Sequence, residues 1–175
     1  MTVPFIKFKL MRDGAQLPKR GTDGSGGFDF YAPADGFLDP GEKHLIPSGI
    51  AHEIPGKLFL KLYHQTDALT SNMFGGNGFD AQFDIPIRIQ GILFDRSGLG
   101  GKKGIRLSFT CLIDNDYRGE IFLSIENASP NAFCWNKGDR LCQIAYVPMY
   151  AGEAAETEEL SDTHRGEGGF GSTGR

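Results

Sequence analysis

No long segment of this chain spaces its apolar residues at a helical period, and that limits the fold more than any other feature. The apolar residues come instead in short runs. Pro4 to Leu10 alternates, with Ile6, Phe8 and Leu10 on one face and Lys7 and Lys9 on the other. Phe28–Ala32, His44–Ile50, Leu58–Tyr63, Ile85–Phe94, Ile105–Ile113, Gly119–Glu126, Ala132–Trp135 and Leu141–Pro148 also read as strands. Gly, Pro, Asn and Asp break the chain between them, as at Asp39-Pro40-Gly41-Glu42. Short strands at close spacing predict an all-β sandwich or barrel. Ala154–Leu160, rich in Ala and Glu, has room for one or two helical turns at most.

Composition narrows the function. A chain of 175 residues suits one domain with a sizeable core. A net charge of -4 argues against direct binding to a nucleic-acid backbone. The opening MTVPFIKFKL lacks a long apolar run and does not read as a secretory signal, and no stretch approaches a membrane span. Cys111, Cys134 and Cys142 are odd in number and lack metal-ligand spacing, so they read as reduced thiols of a cytoplasmic protein. His44, His52, His64 and His164 form no cluster and read as surface or capping residues.

The stretch from Arg165 to Arg175 has five glycines, an arginine at each end, Ser172, Thr173 and Phe170. Glycine frees the backbone to wrap a ligand, and successive N–H groups make an anion-binding nest. Arg165, Ser172 and Thr173 add phosphate donors, and Phe170 offers a face for a base. On composition alone a disordered tail is the simpler reading. Gly166-x-Gly168-x-x-Gly171 matches a dinucleotide pattern but does not sit between a strand and a helix, so it is rejected. The chain divides into a β domain over 1–150 and a linker with a glycine-rich arm over 151–175.

Gln65 to Asp84 breaks the strand rhythm. It holds Gly75-Gly76-Asn77-Gly78 together with Met73, Phe74, Phe79 and Phe83. A loop this long is either functional or a tolerated insertion.

Four further stretches are polar where strands would be apolar: Gly27-Phe28-Asp29-Phe30-Tyr31-Ala32, Asp95-Arg96-Ser97-Gly98-Leu99, Leu112-Ile113-Asp114-Asn115-Asp116-Tyr117-Arg118-Gly119-Glu120 and Lys137-Gly138-Asp139-Arg140-Leu141-Cys142-Gln143. Each alone has an ordinary explanation as turn chemistry. Together, in this order and followed by the tail, they closely resemble the five motifs of the trimeric dUTP pyrophosphatases (dUTPases), from about Gly21 to Arg175.

The resemblance implies a jelly-roll-like distorted β-barrel, assembled as a homotrimer that exchanges C-terminal arms and builds shared sites. It implies hydrolysis of dUTP to dUMP and pyrophosphate by in-line attack of water on the α-phosphorus, with Mg²⁺ on the triphosphate. Asp114 matches the catalytic aspartate that activates the water, and Gln143 a glutamine that holds it. Asp29 matches an aspartate near the metal, acting through bound water. Arg96, Ser97, Gly98 and Arg140 match phosphate-binding and supporting positions. Arg165, Gly169, Ser172 and Thr173 match the arm's contacts, Phe170 the ring that stacks on uracil, and Tyr117 the tyrosine under the deoxyribose.

Three departures stand out. Ser108-Phe109-Thr110-Cys111-Leu112-Ile113 replaces the Gly-rich sequence usual before the catalytic aspartate, Phe28 stands where tyrosine is commoner, and compact members lack the 65–84 segment. Viral members carry extra segments, so the expected place of action is the cytoplasm, or the host cytoplasm if the chain is phage-encoded. The segment is a candidate surface for a protein partner. The rival readings are a dCTP deaminase or bifunctional deaminase/dUTPase of the same fold, against which the tail argues, and a regulatory protein on a dUTPase scaffold.

Overall fold

The computed structural model describes residues 6–54, 56, 58–63 and 82–168. Their strands are β1 (Lys7–Leu10), β2 (Gly27–Tyr31), β3 (Gly36–Leu38), β4 (Lys43–Pro47), β5 (Ile50–Glu53), β6 (Leu58–Tyr63), β7 (Gln82–Asp95), β8 (Ile105–Leu107), β9 (Leu112–Ile113), β10 (Phe122–Asn127), β11 (Phe133–Trp135) and β12 (Arg140–Tyr150). One short helix, α1 (Ser97–Lys103), follows β7. The all-β expectation holds.

The main sheet has the order β2-β12-β7-β6, and β9 also pairs with β7. β10 lies between β4 and β8, β1 pairs with β5, and β3 pairs with β11. These pairings are antiparallel. β10 shows how pattern becomes fold. Leu123, Ile125 and Asn127 alternate inward while Phe122 faces out, the period of a half-buried strand. Its two apolar side chains join Phe30, Leu38, Ile50, Leu93, Ile121 and Ile144 in one core. Asn127, part of a formal glycosylation triplet, is fully buried. Its amide nitrogen donates to the carbonyls of Leu38 (3.0 Å) and Asn131 (2.8 Å), and its oxygen accepts from Ser129 N and Oγ. Those bonds offset the burial of a polar amide.

Several boundaries differ from the sequence reading. His44–Ile50 is two strands, broken at Ser48-Gly49, where Gly49 has φ 74°. A Cβ at Gly49 would stand 2.5 Å from Ala15 Cβ, so glycine is required twice over. Ile105–Ile113 likewise splits into β8 and β9. β7 starts at Gln82, so the last residues of the 65–84 segment are strand. Ala154–Leu160 forms no helix, while the unexpected helix is Ser97-Gly98-Leu99-Gly100-Gly101-Lys102-Lys103, which its three glycines disguise. Leu99 anchors it in the core, Gly104 (φ 68°) ends it, and Lys102 and Lys103 complement its C-terminal dipole. His52, read as a surface or capping residue, is 2% exposed. The three cysteines are free thiols. Among the described residues no helix is long and apolar enough to cross a membrane.

Candidate active site

The main sheet gathers the first group of expected residues. β2 pairs with β12 so that Asp29 stands opposite Gln143, which puts both side chains on one face. β7 lies on the other side of β12 and ends at Asp95, delivering Arg96 and Ser97 at the start of α1. Asp29, Arg96, Ser97, Arg140 and Gln143 therefore line one polar cleft of about 170 Å³, with Gly21, Ser25 and Gly27 on its rim.

Asp29 organises this cleft. Its carboxylate is mostly buried and accepts from Arg96 Nε at 3.0 Å and from an Arg140 terminal nitrogen at 3.3 Å. Two guanidiniums on one carboxylate leave the cluster net positive. Both arginines keep other donors for an anion, and the guanidinium fork matches phosphate geometry. Gln143 Nε2 donates to the Asp95 carbonyl at 3.0 Å, and Asp95 Oδ1 accepts from Leu107 N at 2.5 Å. Gly27 leaves room for the glutamine, because a Cβ there would meet Gln143 Oε1 at 3.0 Å.

The second group lies on the loop between β9 and β10. Asp114 and Tyr117 line a separate, mainly apolar pocket of about 270 Å³ with Leu45, Phe109, Cys111 and Phe122. Asp114 is exposed, and its carbonyl accepts from Tyr117 N at 3.1 Å, closing a turn. Tyr117 Oη donates to the Glu120 carbonyl at 2.9 Å, and Arg118 donates to the carbonyls of Asn115 and Tyr117. Asn115 Nδ2 ties the turn to Ile89 O on β7 at 3.0 Å. Glu120 accepts from Arg12 Nε at 2.7 Å and from Gly49 N at 2.7 Å. These two donors hold its carboxyl below the ordinary range against the opposing effect of burial.

Among the described residues these two groups thus line separate pockets of one chain. The arm, among the described residues, supplies little to either. Its residues 152–167 are exposed, with Leu160 86% accessible. Arg165 is exposed and bonds within the arm, Nε to Gly168 O at 2.8 Å. Gly98 is exposed in the first turn of α1. Gly169, Phe170, Ser172 and Thr173 lie outside the described residues. A groove of about 690 Å³, lined by residues 102–105 and 129–134, contains none of the expected site residues. Sequence reading missed Arg12, Asp95 and Glu120 as supports of the site. Glu120 sits in a quoted stretch, but nothing local marks its partner, 108 positions away.

Comparison with known proteins fits this geometry. The sequence model of the dUTPase family matches residues 68–174. The deoxyuridine 5'-triphosphate nucleotidohydrolase of Nautilia profundicola is 37% identical over 171 residues, covering 97% of this chain and 99% of that protein. The protein of the same description in Ralstonia pickettii is 36% identical, covering 97% of each. Among solved structures, Staphylococcus bacteriophage 80alpha dUTPase with dUPNHPP superposes with a TM-score of 0.74 at 24% identity, over 98% of this chain and 99% of that one. A dUTPase of S. aureus phage phi11, in which a structural Mg(II) ion is coordinated, gives 0.67 at 21% identity, over 90% of this chain and 99% of that one.

Proposed function

The chain belongs to the dUTPase family, and we infer that it hydrolyses dUTP to dUMP and pyrophosphate. The observation that carries the chemistry is the Asp29–Arg96–Arg140 cluster, a net positive cleft beside Ser97 and Gln143. It suits a polyphosphate. The Tyr117 pocket, apolar and about 270 Å³, suits a pyrimidine deoxynucleoside.

In this reading Asp114 is the base. Its exposed carboxylate orients a water and takes its proton as the oxygen attacks the α-phosphorus. Pyrophosphate leaves in line. Gln143 holds the same water, its nitrogen anchored by the Asp95 carbonyl so that its oxygen remains to accept. Arg96, Ser97, Gly98 and Arg140 bind the phosphates, and Tyr117 packs under the sugar, where a 2′-hydroxyl collides with the ring.

Because Asp114 and the arginine cleft belong to different pockets of one chain, the complete site joins two copies. The arm, exposed over 152–167, brings Arg165, Gly169, Phe170, Ser172 and Thr173 from a third, which makes the enzyme a homotrimer. The arm over 151–175 acts as a unit distinct from the β domain over 1–150.

Mg²⁺ neutralises the triphosphate when bound. The donor set fits an ion carried mainly by phosphate oxygens. Among the described residues no three His, Cys, Asp or Glu side chains converge, and both Asp29 oxygens already face arginines, so Asp29 would hold such an ion through water.

The test is pyrophosphate release from dUTP, dCTP, dTTP and UTP, with and without Mg²⁺. Release from dUTP alone, dependent on Mg²⁺, is expected. Ammonia release from dCTP would establish the deaminase reading instead.

A further inference from the structure

One hydroxyl of the polar cleft has no part in the chemistry above. Ser25 lines the cleft with Asp29, Arg96, Ser97, Arg140 and Gln143. It stands on the loop that leads into β2, and that loop is held closed. Asp29 N donates to Lys19 O at 2.7 Å, which joins the two ends. Ser25 N donates to Thr22 O at 3.0 Å, and Thr22 N donates back to Ser25 Oγ at 3.0 Å, so the two residues close a turn. Arg20 clamps that turn. One of its terminal nitrogens donates to the Ser25 carbonyl at 3.1 Å, and its guanidinium carbon lies 4.8 Å from the centroid of the Phe28 ring. Phe28 packs against the core beside Phe8 and Tyr146, so the clamp rests on a fixed ring.

The loop sets Ser25 on one particular side of Asp29. A Cβ at Gly21 would lie 3.6 Å from Ser25 Oγ and 3.9 Å from Asp29 Oδ2, so both oxygens border the same point. Oδ2 is the oxygen that accepts from Arg140, while Oδ1 accepts from Arg96. The carboxylate therefore divides the cleft. Arg96, with Ser97 next in the chain, serves one oxygen, and Arg140, with Ser25 close by, serves the other. Two guanidinium–hydroxyl pairs side by side suit two linked phosphate groups better than one.

The Ser25 hydroxyl has a hydrogen to give. Ser25 Oγ and Thr22 Oγ1 lie 2.9 Å apart and share one hydrogen. When Thr22 supplies it, Ser25 Oγ accepts from Thr22 N and from Thr22 Oγ1, which fills both lone pairs and leaves its own hydrogen unspent. Hydroxyl hydrogens rotate to suit their partners, so an anion in the cleft selects this arrangement.

We propose that Ser25 is a further phosphate-binding residue, donating to a polyphosphate oxygen on the Arg140 side of the cleft, and that Arg20 positions it. The proposal rests on the cleft being the place where the phosphates bind.

The probe is inorganic pyrophosphate with Mg²⁺, titrated calorimetrically into the full-length protein and into Ser25→Ala, Ser25→Thr and Arg20→Ala. KM for dUTP, the inhibition constant of deoxyuridine, which carries no phosphate, and amide hydrogen exchange over 20–26 complete the set. Ser25→Ala is expected to bind pyrophosphate about tenfold more weakly and to raise KM for dUTP by a similar factor, the scale of one hydrogen bond to a charged group, with deoxyuridine unaffected. Ser25→Thr, which keeps the hydroxyl, should restore most of the affinity. Arg20→Ala should raise exchange across the turn and weaken pyrophosphate in the same direction, and it carries the test should Ser25→Ala fail to fold. Wild-type pyrophosphate affinity in folded Ser25→Ala, or in Arg20→Ala with the turn loosened, would overturn the proposal. An equal weakening of deoxyuridine would overturn it too, because it would mark Ser25 as a support of the fold alone. Weaker pyrophosphate binding by Ser25→Ala in a chain that does not hydrolyse dUTP would instead keep Ser25 as a phosphate contact and remove the dUTPase reading.

Discussion

Arg96 donates to Asp29 through Nε, at 3.0 Å, so the bond that fixes the arginine leaves its two terminal nitrogens for another acceptor. A guanidinium held in this way is pre-oriented for a phosphate. Asp29→Ala is expected to raise KM for dUTP by roughly tenfold or more, the scale of losing a hydrogen bond to a charged group, and to lower the thermal midpoint by several degrees. Steady-state kinetics and calorimetry check both. An unchanged KM would mean that the arginines hold their places without Asp29.

Gly119 has no room for a side chain, because a Cβ there would lie 2.6 Å from Tyr117 Cζ. Gly119→Ala must therefore displace the Tyr117 ring, though it touches no substrate. If that ring rejects the ribose, Gly119→Ala and Tyr117→Ala should both narrow the gap between dUTP and UTP in kcat/KM. The ratio of the two specificity constants in each variant decides. A wild-type ratio in both would assign the discrimination elsewhere.

Glu120 ties the turn that carries Asp114 to Arg12 and Gly49. Its carboxyl is depressed in the folded chain, chiefly by the Arg12 bond. A depressed acid contributes stability above its unfolded pKa of about 4.3 and loses it as pH falls through the folded value. Arg12→Ala should therefore destabilise the protein at pH 7, and the difference from wild type should shrink on acidification below about pH 4. Urea unfolding at a series of pH values measures this. A difference that does not vary with pH would mean that the ion pair contributes only packing.

Much of this was legible in the sequence because strands and turns announce themselves locally. Period-two alternation marked the strands, a carboxylate between aromatics marked Asp29 within β2, and polar residues at strand ends marked Arg96 and Asp114. What was hidden depends on partners remote in sequence. Arg12 has meaning only beside Glu120, and His52 looks like a surface histidine until β7 supplies Gly91 and β12 supplies Tyr146. The helix α1 was hidden by its glycines, since propensity argues against a segment that Leu99 and the following Gly104 nevertheless hold in place.

β6 and β7 form a ladder that ends with Tyr63 opposite Gln82. Paired ends of this kind are joined by two residues in ordinary hairpins. Replacing residues 64–81 with Asn-Gly should therefore leave the sheet, the trimer and most dUTP hydrolysis intact, if the segment serves a protein partner and not the chemistry. Light scattering and pyrophosphate release test the two parts. A folded trimer without hydrolysis would assign the segment to the active site.

The separation of Asp114 from the arginine cleft sets the sharpest test of assembly. Asp114→Asn should fold, bind nucleotide and lose about a hundredfold or more in turnover, the scale of a general base. Truncation after Thr163 removes Arg165 and the glycine-rich residues, leaving a trimer that has lost most of its activity. Mixed and allowed to exchange subunits, the two dead variants should regain part of the activity. Some mixed sites receive an intact Asp114 from a truncated chain and an intact arm from an Asp114→Asn chain. A chain that built its own site would regain nothing, because every chain in the mixture carries one lesion. Exchange confirmed by mass spectrometry, with no recovered pyrophosphate release, would therefore place Asp114 and the arm in one chain's site and remove the shared-site trimer.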